Sequence, residues 1–340
     1  MTADLTTFQE IMLPAVEQAM RAVMGRARCE NHDALYHMLA YHMGWEGEGA
    51  GARARGKRVR PLLLLLTTAA TGGNWHRAVP AAAAVELLHN FSLIHDDIED
   101  RGESRRGRPT VWARWGLPLA LNSGDALFTL AHIAMLELHP PVDAETTLIA
   151  ARILHQTALH LTQGQHMDIA FEQRNNVSVD EYWQMVEGKT AALLAACADL
   201  GALLGGADEA HRRAYREFGR MLGLAFQAWD DYLGIWGDAA LTGKSTTGDL
   251  MERKKTLPVL YGLQQAGAFA HAWEQGRPHA PADVPALAAA LETDGARAYT
   301  EAVAASLTTQ AMDALAEAKP HGEAGIALRA LAQQLLHRQH

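Results

Sequence analysis

Apolar residues recur along this chain at helical spacing, and no stretch alternates with the period of two that a half-buried strand requires. Residues 5–45 carry such spaced positions and predict one or two helices. Glycine recurs through 46–56, which predicts a loop. A helix is expected to begin near Pro61, because proline is tolerated in a first turn, and to stop at Gly72-Gly73-Asn74. Residues 78–100 are rich in Ala and Leu with no breaker after Pro80, and predict one long helix ending in acids. Residues 101–118 hold Gly102, Gly107, Pro109, Gly116 and Pro118 and read as mostly loop. Helices are then expected at 119–138, 144–173, 179–205, 208–233 and 256–266, with a second polar loop at 234–255 and an Ala-rich helical end at 267–340. There is no fixed-period repeat and no clear linker. The pattern therefore predicts an all-α chain built as one helical domain spanning 1–340.

Composition narrows this further. The chain is 49% hydrophobic, enough to bury a sizeable core, and Ala and Leu dominate that fraction, which favours helix over strand. A formal net charge of -9 argues against general nucleic-acid binding. Cys29 and Cys197 form no metal-binding spacing and suggest no disulfide framework. The first residues carry an acid where a secretory signal carries bases, and the longest purely aliphatic run, Leu62 to Leu66, is too short to span a bilayer. A cytoplasmic protein without stable membrane insertion is the expectation.

The candidate chemistry begins with acids. His95-Asp96-Asp97-Ile98-Glu99-Asp100 closes the long apolar helix. Asp96 and Asp100 lie one turn apart on one face, where paired carboxylates can grip a hard cation such as Mg2+. The same stripe runs back through Ser92 and His89. Acids at a helix C-terminus oppose the helix dipole and repel one another, so something cationic should offset them. A second pair, Asp230-Asp231, ends another apolar helix before the second polar loop, with Gln227 one turn before Asp231.

Bases alternate with these acids. Gly56-Lys57-Arg58-Val59-Arg60-Pro61 is one cluster, and Ser104-Arg105-Arg106-Gly107-Arg108 is another. Lys189 stands in Gly188-Lys189-Thr190, Lys244 in Thr242-Gly243-Lys244-Ser245, and Arg253-Lys254-Lys255 follows. A single basic run is ordinarily a solvated face. Basic runs interleaved with acid pairs on an acidic chain fit a ligand that carries both phosphates and metal ions.

Taken together over roughly 56–258, these residues resemble the trans-isoprenyl diphosphate synthases, or polyprenyl synthetases. Asp96-Asp97-Ile98-Glu99-Asp100 is similar to the family's first aspartate-rich motif. Gly56-Lys57-Arg58-Val59-Arg60-Pro61 and Arg105-Arg106-Gly107 resemble its basic motifs. Glu86-Leu87-Leu88-His89, Gly164-Gln165 with Asp168, Lys189-Thr190, Phe226-Gln227 and Lys254-Lys255-Thr256-Leu257-Pro258 also fit. The resemblance implies a helical bundle of the isoprenoid synthase type around a central cavity, a homodimer, and Mg2+-dependent condensation of isopentenyl diphosphate with a dimethylallyl, geranyl or farnesyl diphosphate. By that likeness Lys57, Arg60, His89 and Arg106 would hold the isopentenyl diphosphate. Arg105, Lys189, Lys244 and Lys254 would hold the allylic diphosphate. Asp96, Asp100 and Asp230, with Asp231 beside it, would bind three Mg2+, while Asp97 belongs to the catalytic set and Thr190 and Gln227 would steady a cation through their dipoles.

One position departs from the pattern. The second motif reads Asp230-Asp231-Tyr232-Leu233-Gly234, so its third aspartate is glycine, and Asp238 and Asp249 are the acids placed to compensate. For product length, Phe91 lies five residues before Asp96, roughly 7.5 Å along the helix, and Ser92 and Leu88 flank it. An aromatic there resembles synthases of the C20 product, geranylgeranyl diphosphate; C15 and longer products are the alternatives. The competing functional readings are a terpene cyclase on the same fold, an HD-type phosphohydrolase built on His76, His89 and His95-Asp96, and a non-catalytic partner subunit. The first lacks a clean second metal motif here, the second has poor histidine spacing, and the third ordinarily loses an aspartate motif.

Overall fold

The structure is a computed structural model that describes residues 4–30, 33–237, 248–274 and 282–336. Those residues are helical apart from one two-stranded hairpin and the connecting turns. The chain divides into two compact units, each assembled from separate stretches: Met1–Ala158, Ala196–Arg213 and Pro320–Leu328 in the first, and Leu159–Ala195, Ala214–Lys319 and Arg329–His340 in the second.

The first unit opens with α1 (Leu5–Met24), whose N-cap Asp4 accepts from the Thr7 backbone and whose buried Met12, Val16 and Met20 recur every fourth residue. Two short helices follow, α2 (Ala34–His42) and α3 (Ala52–Arg55). Next come α4 (Val59–Ala70) and α5 (Val79–Glu99), which carries Pro80 in its first turn and buries the run Ala81–Ala84. Small side chains let α5 lie close against α7 (Leu117–Leu136), α1 and α4. The closest approach is at Gly124 of α7, where any side chain would strike the His95 ring. Among the described residues α7 is the one helix long and apolar enough to cross a bilayer, but its Ala120, Leu127, Ala131 and Ala134 positions are buried inside the unit.

The 29-residue α8 (Ala144–Glu172) belongs to the first unit up to Ala158 and to the second from Leu159. In the second unit, α9 (Val179–Val186) begins with a capping box between Ser178 and Glu181. A π-helical turn, Glu187–Ala191, joins it to α10 (Ala192–Leu204), whose residues from Ala196 on belong to the first unit. The 28-residue α11 (Glu209–Trp236), which belongs to the second unit from Ala214 on, carries the second acid pair. Beyond it lie α12 (Gly248–Met251), α13 (Leu257–Gln264), α14 (Ala268–Glu274), α15 (Val284–Thr293) and α16 (Ala296–Glu317); α17 (Gly322–Leu336), the last described helix, belongs to the first unit through Leu328 and to the second from Arg329. Ile235 of α11, Leu250 of α12, Val259 of α13 and Phe269 of α14 share one buried cluster, which fixes α12 beside the last turn of α11.

The expected elements stand with five differences. Residues 46–56 are not all loop, because α3 occupies Ala52–Arg55, and the expected polar loop at 234–255 contains the short helix α12 (Gly248–Met251). Residues 101–118 are not mostly loop: they hold the hairpin β1 (Ser104–Arg105) and β2 (Arg108–Pro109) and the short α6 (Val111–Trp115). The 179–205 segment is not one continuous α-helix, because the π turn interrupts it. The second acidic helix runs past residue 233 to Trp236.

Candidate active site

The first unit gathers its charged residues around the end of α5. The Arg105–Arg106–Gly107–Arg108 run makes a two-residue hairpin with Arg105 paired to Arg108. Both central residues have positive φ, 53° at Arg106 and 77° at Gly107, as a type I′ turn requires, which is the physical need for glycine at 107. Arg108 is buried and pins the hairpin by donating to the carbonyls of Tyr41 (2.8 Å), Glu46 (2.6 Å) and Glu48 (2.9 Å). Arg105 then reaches back to α5, its Nε donating to Asp97 Oδ1 and Oδ2 at 2.9 and 3.0 Å and its Nη2 lying 2.8 Å from Oδ1. This is the cation that the acidic helix end needs.

The acids of that turn consequently differ. Asp97 is buried, and burial holds its carboxyl above the usual range even against the Arg105 hydrogen bond. Asp96 is half-buried and Asp100 exposed. Arg105 engages both Asp97 oxygens inside the protein, so Asp97 positions that arginine.

The Lys57–Arg60 cluster is set by a residue that the sequence did not single out. Arg58 sits in the left-handed region (φ 47°) at the N-cap of α4 and is 5% exposed. Its Nε donates to Glu17 Oε1 (2.8 Å), its Nη1 to Glu86 Oε1 (2.7 Å) and its Nη2 to the Met43 carbonyl (3.2 Å). Asn90 donates to the same Glu86 oxygen (2.9 Å). Burial alone would lower the Arg58 pKa, but Glu86 and Glu17 outweigh it and the group is held above its ordinary value. With Arg58 fixed, Lys57 on one side is exposed and Arg60 on the other points inward.

Arg60 Nη1 lies 3.2 Å from His89 Nε2, and the buried Arg60 Nε has no partner. Burial, reinforced by Arg60, Arg106, Arg105 and Arg58, pushes His89 well below its usual pKa, so it is a neutral imidazole. Arg106 is half-buried against Gly56 and donates to the Ala54 carbonyl (2.8 Å). His42 is a second neutral imidazole, lowered to about 3 by burial and then by Arg105, Arg106 and Arg58; its Nε2 is buried without a partner. His42, Tyr41, Asp97, Arg105 and Arg106 line one small cleft. A cluster of guanidinium groups around two uncharged histidines, with orphaned donors, is a receptor for an anion of high charge.

Phe91 is half-buried, with its ring edge-on to His95 (4.9 Å between centroids) and to Phe128 of α7 (5.0 Å). Ser92 donates to the His89 carbonyl (2.8 Å), and Leu88 is wholly buried.

In the second unit, a close helix crossing explains the Gly164-Gln165 and Gly188-Lys189 signals. A Cβ on Gly164 would lie 2.7 Å from the Gly188 carbonyl carbon, and one on Gly188 would lie 2.7 Å from the His160 carbonyl oxygen. The approach brings Lys189 Nζ to 2.5 Å from Asp168 Oδ2. The π turn also carries Thr190, whose hydroxyl donates to Gln227 Oε1 (3.0 Å); Gln227 Nε2 donates onward to Asp231 Oδ1 (2.8 Å). Asp231 Oδ2 accepts from the Tyr182 hydroxyl (2.7 Å) and the Leu257 backbone (2.8 Å).

Asp231 is 3% exposed, and burial pushes its carboxyl up to about 7 against those hydrogen bonds. Its three hydrogen bonds inside the protein give Asp231 an anchoring role for Gln227, Tyr182 and the start of α13, beside the metal-ligand role expected from the sequence. Asp230, half-buried on the neighbouring face, is the carboxylate of this pair suited to a cation. Lys254 is exposed and ion-paired with Glu252 at 3.2 Å. Lys244 and Asp238 lie outside the described residues. Of the residues missed in the sequence, Tyr182 and Glu17 had no local signal, because each acts through a partner distant in the chain.

Across both units the same division appears: the second aspartate of each pair is buried and spent on the protein, and the first stays half-buried. Residues 50–291 match the polyprenyl synthetase family. The chain belongs to the polyprenyl synthetase family. It is an all-α trans-prenyl diphosphate synthase, and its family works on isopentenyl and allylic diphosphates with Mg2+. A (2E,6E)-farnesyl diphosphate synthase of Mycobacterium tuberculosis is 43% identical over 316 residues, covering 89% of this chain and 86% of that one. A geranylgeranyl diphosphate synthase of the same organism is 44% identical over 243 residues, 71% of this chain and 69% of that one. The crystal structure of a polyprenyl synthetase from Streptomyces coelicolor A3(2) has a TM-score of 0.87 at 38% identity, covering 98% of this chain and 100% of that one.

The donor set fits Mg2+. Among the described residues no group of three or more His, Cys, Asp or Glu side chains encloses a metal. Half-buried Asp96 and Asp230 and exposed Asp100 instead supply hard oxygen ligands of the kind that Mg2+ combines with water and diphosphate oxygens.

Proposed function

We propose that this synthase joins isopentenyl diphosphate head-to-tail to an allylic diphosphate and stops at the C20 product, geranylgeranyl diphosphate, with the two units working as one catalytic domain in a homodimer. The observation that carries the reading is the repeated division of each aspartate pair, with one carboxylate held by the protein and the other half-exposed for a cation. Asp96, Asp100 and Asp230 would hold Mg2+, three ions in all, which when bound neutralises charge on the departing diphosphate. Lys189, Arg105, Lys244 and Lys254 orient the allylic diphosphate. Arg60, Arg106, Lys57 and neutral His89 orient the other substrate, its terminal double bond facing the allylic carbon.

When the allylic C–O bond breaks, the Thr190 oxygen, whose proton is directed to Gln227, offers its lone pairs to the cation. The double bond then attacks, and the proton lost from the new tertiary cation passes to the released diphosphate. Phe91, braced edge-on by Phe128, would end the chain's growth. A C15 product is the second reading, favoured by the farnesyl synthase likeness over 89% of the chain.

The test is incubation of the pure protein with Mg2+, labelled isopentenyl diphosphate and C5, C10 or C15 primers, followed by dephosphorylation and sizing. Linear C20 alcohol from wild type and longer alcohols from Phe91→Ala are expected. A C15 end point transfers the reading to farnesyl diphosphate, and absence of label in any product rejects it.

A further inference from the structure

His132 of α7 and His155 of α8 both lie in the first unit and take no part in the site described above. Their rings are in contact, 4.3 Å between centroids and tilted by 55°. Each ring is held by its own helix. His132 Nδ1 is 2.7 Å from the Phe128 carbonyl, and His155 Nδ1 is 2.6 Å from the Ala151 carbonyl. A carbonyl oxygen can only accept, so each Nδ1 carries a proton and donates it. In a neutral imidazole the other nitrogen is then a bare lone pair. Both rings therefore present Nε2 as an acceptor, and neither can donate to the other.

The His132 Nε2 is buried and has no partner. Burial, with His155 beside it, holds this imidazole below its usual pKa against the Phe128 hydrogen bond, so a proton does not fill the lone pair near neutral pH. The ring cannot easily turn away. It packs on Phe128 (4.4 Å), which packs on Phe91 (5.0 Å). His155 is exposed, which leaves the pair open to solvent on its side.

Two imidazoles, each oriented by an Nδ1–H bond to a backbone carbonyl, are the arrangement that surrounds protein-bound transition ions. Imidazole nitrogen suits Zn2+, Cu2+ and Ni2+, whereas Mg2+ takes oxygen ligands. An ion about 2.0–2.1 Å from both nitrogens sets the ring centres roughly 4.5–5 Å apart, so the pair has to open by less than about 1 Å to admit one.

We propose that His132 and His155 form a transition-metal site that clamps α7 to α8, with Nε2 of each ring as ligand and water in the remaining positions. Its ion belongs to the Zn2+, Cu2+ and Ni2+ class. The site is separate from the carboxylates assigned to Mg2+, and it stands whatever the length of the product.

The test is calorimetric titration of Zn2+ into metal-stripped, tag-free protein held in excess Mg2+, with electron paramagnetic resonance of added Cu2+ as the second readout. Wild type should bind one equivalent of Zn2+ more tightly than any that follow. One equivalent of Cu2+ should show nitrogen coupling from two imidazoles. His155→Asn should weaken the first equivalent at least about tenfold, and its exposed position leaves the core untouched. His132→Asn should give the same loss. His160→Asn, an exposed position on the same helix, should change nothing. The proposal is overturned if wild type binds no such equivalent, if His155→Asn keeps wild-type affinity, or if His160→Asn weakens binding as much as His155→Asn does. A Cu2+ spectrum with fewer than two coupled nitrogens overturns it as well, and that readout needs no variant to fold.

Discussion

At the scale of single residues, buried charge decides more of this site than exposed charge. Arg58 contacts two glutamates and a carbonyl from three different places in the chain, and it sets the direction of both neighbours in the basic motif. A buried ion pair with one partner removed leaves an uncompensated charge, a loss of about 3–5 kcal/mol that Glu17 would partly offset here. Glu86→Gln is therefore expected to cost about 2–3 kcal/mol of stability by denaturant titration. It should also raise the KM for isopentenyl diphosphate on the order of tenfold through misplacement of Arg60 and Lys57. Its Mg2+ half-saturation should not move, which separates loss of positioning from general damage. The aspartate pairs, the basic motifs and Gln227 were all legible in the sequence as types of residue. Which aspartate of each pair serves the protein was not. That depends on Arg105 reaching back eight positions and on Tyr182 reaching across 49, separations that no local pattern records.

At the scale of elements, helix periodicity located almost every helix, because apolar spacing is a local property of the chain. It missed the π turn at Glu187–Ala191, where one extra residue is accommodated without change in composition. Gly188 in mid-helix was its one trace. The hairpin at 104–109 was hidden for a different reason: two-residue strands are too short to alternate, and Arg106 is an unusual occupant of a positive-φ turn. The Gly164–Gly188 crossing yields a direct prediction. Gly164→Ala puts a methyl group against the backbone of Gly188 and Lys189, and overpacking of that kind costs about 1–3 kcal/mol. The variant should melt lower and show a raised KM for the allylic diphosphate, with the KM for isopentenyl diphosphate little changed. A larger effect on the second constant than on the first would disprove the assignment of Lys189.

At the scale of the whole molecule, the two neutral histidines make stability sensitive to acid. Their folded pKa values are depressed, to about 3 for His42 and well below 6.5 for His89. As pH falls below about 6.5 the unfolded chain takes up protons that the folded chain refuses, so stability is lost downward through that window. Asp231 acts in the opposite sense, since its folded value of about 7 lets the native state bind a proton first. Two protons against one leave roughly one net, or about 1.4 kcal/mol per pH unit between pH 6 and 5. Ordinary carboxylates titrate below that range. The measurement is the melting temperature across this interval, and His42→Asn should nearly abolish its slope. An unchanged slope would mean that His42 is protonated in the native state.

The Asp97–Arg105 pair has a consequence for the order of events. It couples the last turn of α5, which carries Asp96 and Asp100, to the hairpin that carries Arg106. A ligand that stiffens the hairpin has already met part of the entropic cost of ordering the acidic turn, and the converse holds to the same degree. The two substrates of this synthase are then not independent tenants. If they are held as proposed above, each is expected to raise the affinity for the other by one common factor, and titration of one diphosphate in the presence and absence of the other should show the ternary complex populated beyond what the two separate dissociation constants would give.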